Sequence, residues 1–244
     1  MSDIKQLGML TPSSNTVLEP VLARMLEGNR SISVHYSRFR VVAINLGDQA
    51  MGQFADDKLL EAADLLGDAK LDAICWNGTS SGWLGFDADE RLCQSIHERT
   101  GIKASTSVLA LNRALELTGA KRIAFVTPYL DEVQEAIINN YQSNGYDVVA
   151  ERHLQDPGNH SFAQYSEEKV TELCREVAEA KPDAICVFCT NFRGAAVAPI
   201  IEKDLGIPVY DTVSTALWQS LVIAGGDASS ITGWGSLFSL KDTG

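Results

Sequence analysis

The chain has 244 residues, a length that suits one large domain or two small ones. Hydrophobic residues make up 45% and charged residues 21%, a balance typical of a globular protein with a sizeable core, which excludes disorder, collagen and a coiled coil for the chain as a whole. The formal net charge of −12 argues against a basic face, so we expect neither nucleic acid nor a membrane surface as a partner.

The cysteines and the first residues bear on the compartment. Five cysteines, an odd number in a chain of this size, do not indicate a disulfide framework. Residues 1–6 lack the basic and apolar regions of a signal peptide, and no apolar run approaches the length of a membrane span. We therefore expect a cytoplasmic protein with reduced thiols.

Short apolar runs typical of strands alternate along the chain with stretches of helical spacing. Strands are predicted at Leu7–Leu10, Ile32–Ile44, Ala73–Trp76, Ile102–Ala104, Ile123–Val126, Tyr146–Glu151, Ala184–Phe188 and Val209–Tyr210. Helices are predicted at Val17–Glu27, Ala55–Leu66, Asp89–Arg99, Val108–Leu117, Leu130–Ser143, Glu167–Ala180 and Ala195–Lys203. Continuous apolar strands alternating with helices indicate parallel sheets that are covered on both faces.

Three segments return later in the chain, in the same order and at similar offsets. The pairs are Leu7–Pro12 with Ile123–Pro128, Lys70–Thr79 with Lys181–Thr190, and Gly101–Lys103 with Gly206–Pro208. We therefore predict an α/β fold of two pseudo-symmetric, doubly wound parallel-sheet lobes. Residues 1–105 are expected to form lobe 1, completed by the C-terminal segment 212–244, and residues 106–211 lobe 2. Ligands of such sheets bind beyond the carboxyl ends of the strands, which places the active site in the cleft between the lobes.

Polar turns follow four of the predicted strands and lead into helices. They are Thr11–Thr16, Gly78–Gly82, Thr127–Asp131 and Cys189–Gly194. Hydroxyls and free N–H groups at a helix N-terminus favour an anion, so these turns together predict a concave, anion-binding surface. The alternative is that Ser14, Asn15, Ser80 and Asn191 serve as N-caps without binding a ligand.

Cys189 is the strongest candidate for chemistry because it stands at a strand–helix turn, where a thiol can meet a ligand. The remaining cysteines are expected to be packing residues. Cys186 and Cys189 form a C-x-x-C pair, but Cys186 falls within a strand and no second pair completes a metal site. With an ordinary pKa of about 8.5, a cysteine is a thiol at neutral pH and can donate a proton. The sequence carries no sign of a metal, nucleotide or other cofactor.

Two pseudo-symmetric lobes with a cysteine or its substitute at both equivalent strand ends resemble the aspartate/glutamate racemase superfamily. Within it, Pro12–Thr16, Thr127–Tyr129 and Asn159 are similar to the maleate cis–trans isomerase pattern. That pattern has a cysteine at both strand ends, whereas here the first position is Gly78. Gly78–Ser80, Thr127–Asp131 and a lone Cys189 are more similar to the arylmalonate decarboxylases.

The resemblance implies roles for individual residues. Thr79, Ser80 and Tyr129 would bind a carboxylate and the enediolate formed as carbon dioxide leaves, and Cys189 would protonate that intermediate. The implied substrate contacts are Pro12, Ser14, Asn15, Gly78, Asn159, Thr190 and Asn191. The chain departs from the decarboxylases at Thr190–Arg193, where they have small, glycine-rich residues, and in its polar first turn. Arg193 either grips a distal carboxylate or is an exposed or sheet-capping arginine, and Asn159 either binds substrate or forms a turn.

The leading prediction is a cofactor-independent decarboxylase of a malonate-type acid, acting on a small carboxylic or dicarboxylic acid. Gly78 supports it, because a glycine cannot supply the second reacting group that a racemase or isomerase needs on the opposite face. The alternatives are a maleate-type cis–trans isomerase or a racemase, and a non-catalytic dicarboxylate-binding protein. A homo-oligomer is compatible with the sequence.

Overall fold

The computed structural model describes residues 4–41, 44, 46 and 56–242, and this part of the chain contains eight strands and nine α-helices. The strands are β1 (Lys5–Pro12), β2 (Ile32–Phe39), β3 (Ala73–Trp76), β4 (Ala104–Thr106), β5 (Arg122–Thr127), β6 (Asp147–His153), β7 (Ala184–Val187) and β8 (Val209–Asp211). The helices are α1 (Leu18–Met25), α2 (Asp56–Gly67), α3 (Ser81–Leu84), α4 (Phe86–Thr100), α5 (Ser107–Thr118), α6 (Asp131–Ser143), α7 (Glu167–Ala178), α8 (Ala198–Leu205) and α9 (Thr212–Ile223).

The strands form two parallel four-stranded sheets of the same topology. The order is β2-β1-β3-β4 in the first sheet and β6-β5-β7-β8 in the second. All four residues of β3 and all four of β7 are buried, which explains why these central strands are uninterrupted apolar runs. The predicted fold class, two pseudo-symmetric, doubly wound α/β lobes, is confirmed.

The two halves also repeat unusual local conformations. Lys70 and Lys181 both have left-handed backbones, with φ of 51° and 52°, a region that few non-glycine residues adopt. Two residues further on, Asp72 and Asp183 each accept a backbone N–H from the start of the neighbouring central strand, at 2.7 and 2.8 Å. The entry into the third strand of each lobe is therefore built in the same way.

The predicted elements differ from the structure mainly at their ends. The predicted strand Ile32–Ile44 stops at Phe39. Residues 42 and 43 of that prediction, and residue 55 of a predicted helix, lie outside the described residues. Helices α3 and α9 were not predicted from the sequence. Nine of the twelve residues of α9 are buried, and a helix without a polar face gives no helical periodicity to detect.

Helix α9 packs against α5, β3 and β4, so the chain after residue 211 contacts the first sheet. The C-cap glycines Gly101 and Gly206, which belong to the third sequence repeat, have φ of 72° and 69°, the left-handed conformation that ends a helix before the next strand. The lobe boundaries at residues 105 and 211 stay a prediction. None of the described helices is both long and apolar enough to cross a bilayer.

Candidate active site

A small cavity lies where the carboxyl ends of the central strands of both sheets meet, the expected place for a ligand in parallel α/β sheets. Its free space is about 20 Å³, close to what one water molecule needs. Eight of the predicted site residues line it: Pro12, Gly78, Thr79, Tyr129, Asn159, Cys189, Thr190 and Asn191.

Cys189 follows β7 and is 3% exposed. Burial raises the pKa of its thiol to about 12, although hydrogen bonds from the Tyr129 hydroxyl and the Asn191 backbone N–H act to lower it. Because a thiol with this pKa is protonated at neutral pH, Cys189 is suited to donate a proton. A nucleophilic thiolate would require the opposite shift.

The Tyr129 hydroxyl lies between Cys189 and Thr79. Tyr129 Oη and Thr79 Oγ1 are 2.6 Å apart, and either hydroxyl can donate. The tyrosine ring is held by edge contacts to Trp83 and Phe162, with centroid distances of 5.6 and 5.5 Å. Burial, followed by the neighbouring Cys189, raises the pKa of Tyr129 well above its usual value. The site therefore has two neutral hydroxyl groups, joined by one hydrogen bond, beside one thiol.

Gly78 occupies the position in lobe 1 that corresponds to Cys189, and its surroundings leave no room for a side chain. A Cβ built on Gly78 would lie 2.0 Å from Cζ2 and 2.3 Å from Cε2 of Trp76, inside the van der Waals contact distance. Residues i and i+2 of an extended segment share one face, so the Trp76 indole lies against Gly78.

Ser14 and Asn15 do not line the cavity. Ser14 Oγ donates to the Val41 carbonyl at 2.7 Å. Asn15 Oδ1 accepts the backbone N–H groups of Val17 and Leu18, both at 2.9 Å, at the start of α1. Its Nδ2 donates to the Thr190 carbonyl at 3.0 Å. Asn15 thus acts as a helix cap and at the same time joins the two lobes.

Thr190, Asn191 and Asn159 line the cavity and also connect its walls. Thr190 Oγ1 donates to the Asn77 carbonyl at 3.0 Å. Asn191 Oδ1 accepts the Thr16 N–H at 2.9 Å, and its Nδ2 donates to the Asn159 carbonyl at 2.6 Å. The bonds of Thr190 and Asn191 hold the turn Cys189–Gly194 against lobe 1.

Ser80 and Arg193 are not among the residues that line the cavity. Ser80 is 6% exposed and precedes α3, where its carbonyl accepts the Leu84 N–H at 2.9 Å. Arg193 is exposed, and its Nε donates to the Ala163 carbonyl at 3.0 Å. The structure therefore matches the alternative of an exposed arginine, and the carbonyl that Arg193 contacts lies outside the sheets.

Four lining residues were not singled out from the sequence: Val41, Ile44, Trp76 and Trp83. They form an apolar wall beside the polar turns. The sequence holds one sign that Trp76 lines the cavity: it stands two residues before Gly78, so the two residues share one face of an extended segment. Val41 and Ile44 come from a different part of the chain, and nothing local marks them.

The other cysteines are free thiols, and three of them, Cys75, Cys174 and Cys186, are buried. Burial raises the pKa of Cys75 and Cys174 to about 12, as expected for packing residues. In the part of the chain that the structure describes, no three His, Cys, Asp or Glu side chains are grouped to hold a metal ion.

Comparison with known proteins gives relatives of two activities. The arylmalonate decarboxylase family model matches residues 33–238. The arylmalonate decarboxylase of Bordetella bronchiseptica is 29% identical over 164 residues, which cover 66% of this chain and 68% of the relative. The maleate isomerase of Pseudomonas putida is 26% identical over 233 residues, which cover 91% of this chain and 92% of the relative.

Solved structures share the fold over nearly the whole chain. A Nocardia farcinica maleate cis–trans isomerase variant with a covalently bound succinylcysteine intermediate has a TM-score of 0.88 at 19% identity, covering 98% of this chain and 100% of its own. A crystal structure of arylmalonate decarboxylase has a TM-score of 0.78 at 23% identity, covering 97% and 100%. The relatives are a decarboxylase and cis–trans isomerases, so this protein is an enzyme of one of these two types. The chain belongs to the arylmalonate decarboxylase family.

Proposed function

We propose that the protein is a cofactor-independent decarboxylase of a malonate-type dicarboxylic acid, in which Cys189 protonates an enediolate. The observation that carries this proposal is the pairing of a buried, protonated Cys189 with Gly78 at the equivalent position of the other lobe. Such a site supplies one thiol, and no second thiol stands among the described lining residues.

The hydroxyl pair supports the first step. Breaking the bond to the departing carboxylate releases carbon dioxide and leaves the electron pair on the α-carbon, delocalised onto the remaining carboxylate as an enediolate. Thr79 Oγ1 and Tyr129 Oη are 2.6 Å apart and both residues line the cavity. A developing oxyanion bound there accepts hydrogen bonds from both hydroxyls in place of the bond that they make to each other. Fixed donors of this kind stabilise charge that develops in the transition state.

The second step is proton transfer from sulfur to carbon. The Cys189 thiol gives its proton to the α-carbon, which restores a neutral carbon centre, and a solvent proton re-forms the thiol from the thiolate. Val41, Ile44 and Trp83 give the cavity an apolar wall. A departing carboxylate against such a wall loses its hydration, which favours its loss as neutral carbon dioxide.

Cis–trans isomerisation of a maleate-type acid is the second candidate. It is favoured by the Pseudomonas putida maleate isomerase, which matches 91% of this chain against 66% for the Bordetella bronchiseptica decarboxylase. This reaction would require Cys189 to attack the double bond as a thiolate without a second thiol. Its burial opposes that role, because it raises the pKa of the thiol to about 12.

Product identification separates the candidates. The purified protein is incubated with a disubstituted malonate and, separately, with maleate, and each mixture is followed by proton NMR. The proposal predicts the monoacid from the malonate and no fumarate from maleate. Fumarate without monoacid would favour the isomerase. Binding of either acid without turnover would favour a non-catalytic dicarboxylate-binding protein.

A further inference from the structure

The two lobes carry the same pair of positions with the side-chain sizes exchanged. In lobe 1 the third strand ends in Trp76 and is followed, two residues on, by Gly78. In lobe 2 the residues 111 positions later are Val187 and Cys189. In lobe 1 a large residue, Trp76, thus stands two positions before a glycine, and in lobe 2 a smaller residue, Val187, stands two positions before the cysteine.

The geometry explains the exchange. The Trp76 indole fills the space of a residue-78 side chain, since Cζ2, Cε2 and Cη2 all lie within 2.7 Å of the position of a Cβ on Gly78. Gly78 and Cys189 both line the cavity. Each follows the third strand of its lobe. The indole therefore occupies, in lobe 1, the place that corresponds to the Cys189 thiol in lobe 2.

The indole is held firmly in this position. Trp76 is 1% exposed, and its ring packs against Phe39 with a centroid distance of 5.0 Å. Its backbone pairs with Leu10 on one side and with Thr106 on the other, within a four-stranded sheet. A new side chain at residue 78 would have to displace a packed ring and not a mobile one, which is costly in a close-packed interior.

We propose that Trp76 is a specificity-determining residue: its indole takes the place of a second catalytic side chain at residue 78 and restricts the site to chemistry on the Cys189 face of the substrate. The functional half of this inference rests on the proposed reaction. It predicts that a cysteine at residue 78 becomes useful only when Trp76 is made small, as Val187 is in lobe 2.

The double variant Trp76→Val/Gly78→Cys copies the Val187–Cys189 pair into lobe 1. With two thiols facing the α-carbon, a thiolate at residue 78 can remove the α-proton of a monoacid, and the Cys189 thiol can return a proton to the opposite face. One proton leaves the carbon and one arrives, so the net reaction is inversion of the acid without a co-reactant.

The experiment compares wild type, Trp76→Val, Gly78→Cys and the double variant by two measurements. The first is Tm, which reports the steric overlap. The second is racemisation of a single-enantiomer 2-substituted monoacid, with α-deuteration in D2O. Should the Gly78→Cys variants fail to fold, the Tm cycle is repeated with Gly78→Ala, which introduces only the clashing Cβ.

We expect Gly78→Cys to lower Tm by about 3–10 °C in the wild-type background and by less than half as much in the Trp76→Val background, where the indole is gone. We expect only the double variant to racemise the acid, at a rate at least about tenfold above the background that either single variant shows. An equal fall in Tm on Gly78→Cys in both backgrounds would contradict the steric overlap between the Trp76 indole and a side chain at residue 78. Racemisation by Gly78→Cys alone, or none by a folded double variant, would overturn the specificity role.

These outcomes are separate from the fate of the proposed function. Neither Tm nor α-proton exchange requires loss of carbon dioxide, so both can be read if wild type fails to decarboxylate any malonate. That failure would refute the decarboxylase proposal, while the Tm cycle and the exchange assay would still decide the role of Trp76.

Discussion

The protonation state of Cys189 decides which reaction a single thiol can serve. Its sulfur is removed from water, and removal from water disfavours the charged thiolate more than the neighbouring Tyr129 and Asn191 donors favour it, so the pKa of the thiol is raised. A protonated thiol beside an enediolate is an acid, whereas attack on a double bond needs the thiolate. At this residue the physical chemistry agrees with the decarboxylase proposal.

Replacement of Cys189 by serine tests its role as the acid. A serine hydroxyl is a far weaker acid than a thiol, so we expect kcat on a malonate-type substrate to fall by about 10²–10⁴-fold, the usual contribution of a general acid. Steady-state kinetics measure it. The matched control is Cys93→Ser in α4, a partly buried cysteine outside the cavity, which should keep wild-type kcat. An equal loss in both variants would contradict the prediction.

The pH profile distinguishes an acid from a nucleophile. With the pKa of Cys189 at about 12, the thiol keeps its proton throughout the range from about pH 6 to pH 10, and kcat should not fall there through its ionisation. A nucleophilic thiolate would make the rate rise about tenfold per pH unit below its pKa. A kcat profile that rises steeply with pH in wild type would therefore contradict the assignment.

Tyr129→Phe tests the oxyanion donors. Loss of one such donor typically lowers kcat by about 10²–10³-fold, and we expect this effect with a smaller change in KM. Tyr141→Phe is the matched control, because the Tyr141 hydroxyl is buried without a hydrogen-bond partner among the described residues. Its removal should leave kcat unchanged and Tm equal or higher. A Tyr129→Phe enzyme with wild-type kcat would exclude the hydroxyl from the reaction.

At the scale of elements, the turns that follow the strands both line the cavity and fasten the lobes together. Asn15 and Asn191 each bond backbone groups across the lobe boundary. Short polar turns leading into helices could be predicted from the sequence as caps or anion sites. Which of their groups face a neighbouring lobe could not, since the partners are 175 residues away in the chain and local pattern carries no such information.

Asn15→Ala should cost more stability than the loss of an ordinary helix cap. It removes the cap of α1, worth about 1 kcal/mol, and the bond to Thr190, worth about 1 kcal/mol more. The control is Ser166→Ala, since Ser166 caps α7 through the Lys169 N–H without an inter-lobe bond. Urea unfolding should show about twice the loss for Asn15→Ala. Equal losses would mean that the inter-lobe bond contributes nothing.

At the scale of the whole molecule, the two sheets have one topology but their strand ends differ. Repeated segments predicted the pseudo-symmetric fold, because apolar strands and the turns at their ends are encoded locally. The asymmetry at Gly78 and Cys189 was visible in the same way. That the Trp76 indole fills the space of a side chain at residue 78 could not be predicted from the sequence, because it depends on the orientation of a buried indole. Helix α9 was missed for a different reason, because burial on all sides removed its helical pattern.

The fate of the proton is the most direct test of the account. The protein is incubated in D2O with a prochiral disubstituted malonate, and the product is analysed by proton NMR and chiral chromatography. We predict a monoacid with one α-deuteron and a single configuration, formed by wild type and abolished in Cys189→Ser. A product deuterated equally in both configurations, or one that forms at the wild-type rate without the thiol, would contradict protonation by Cys189.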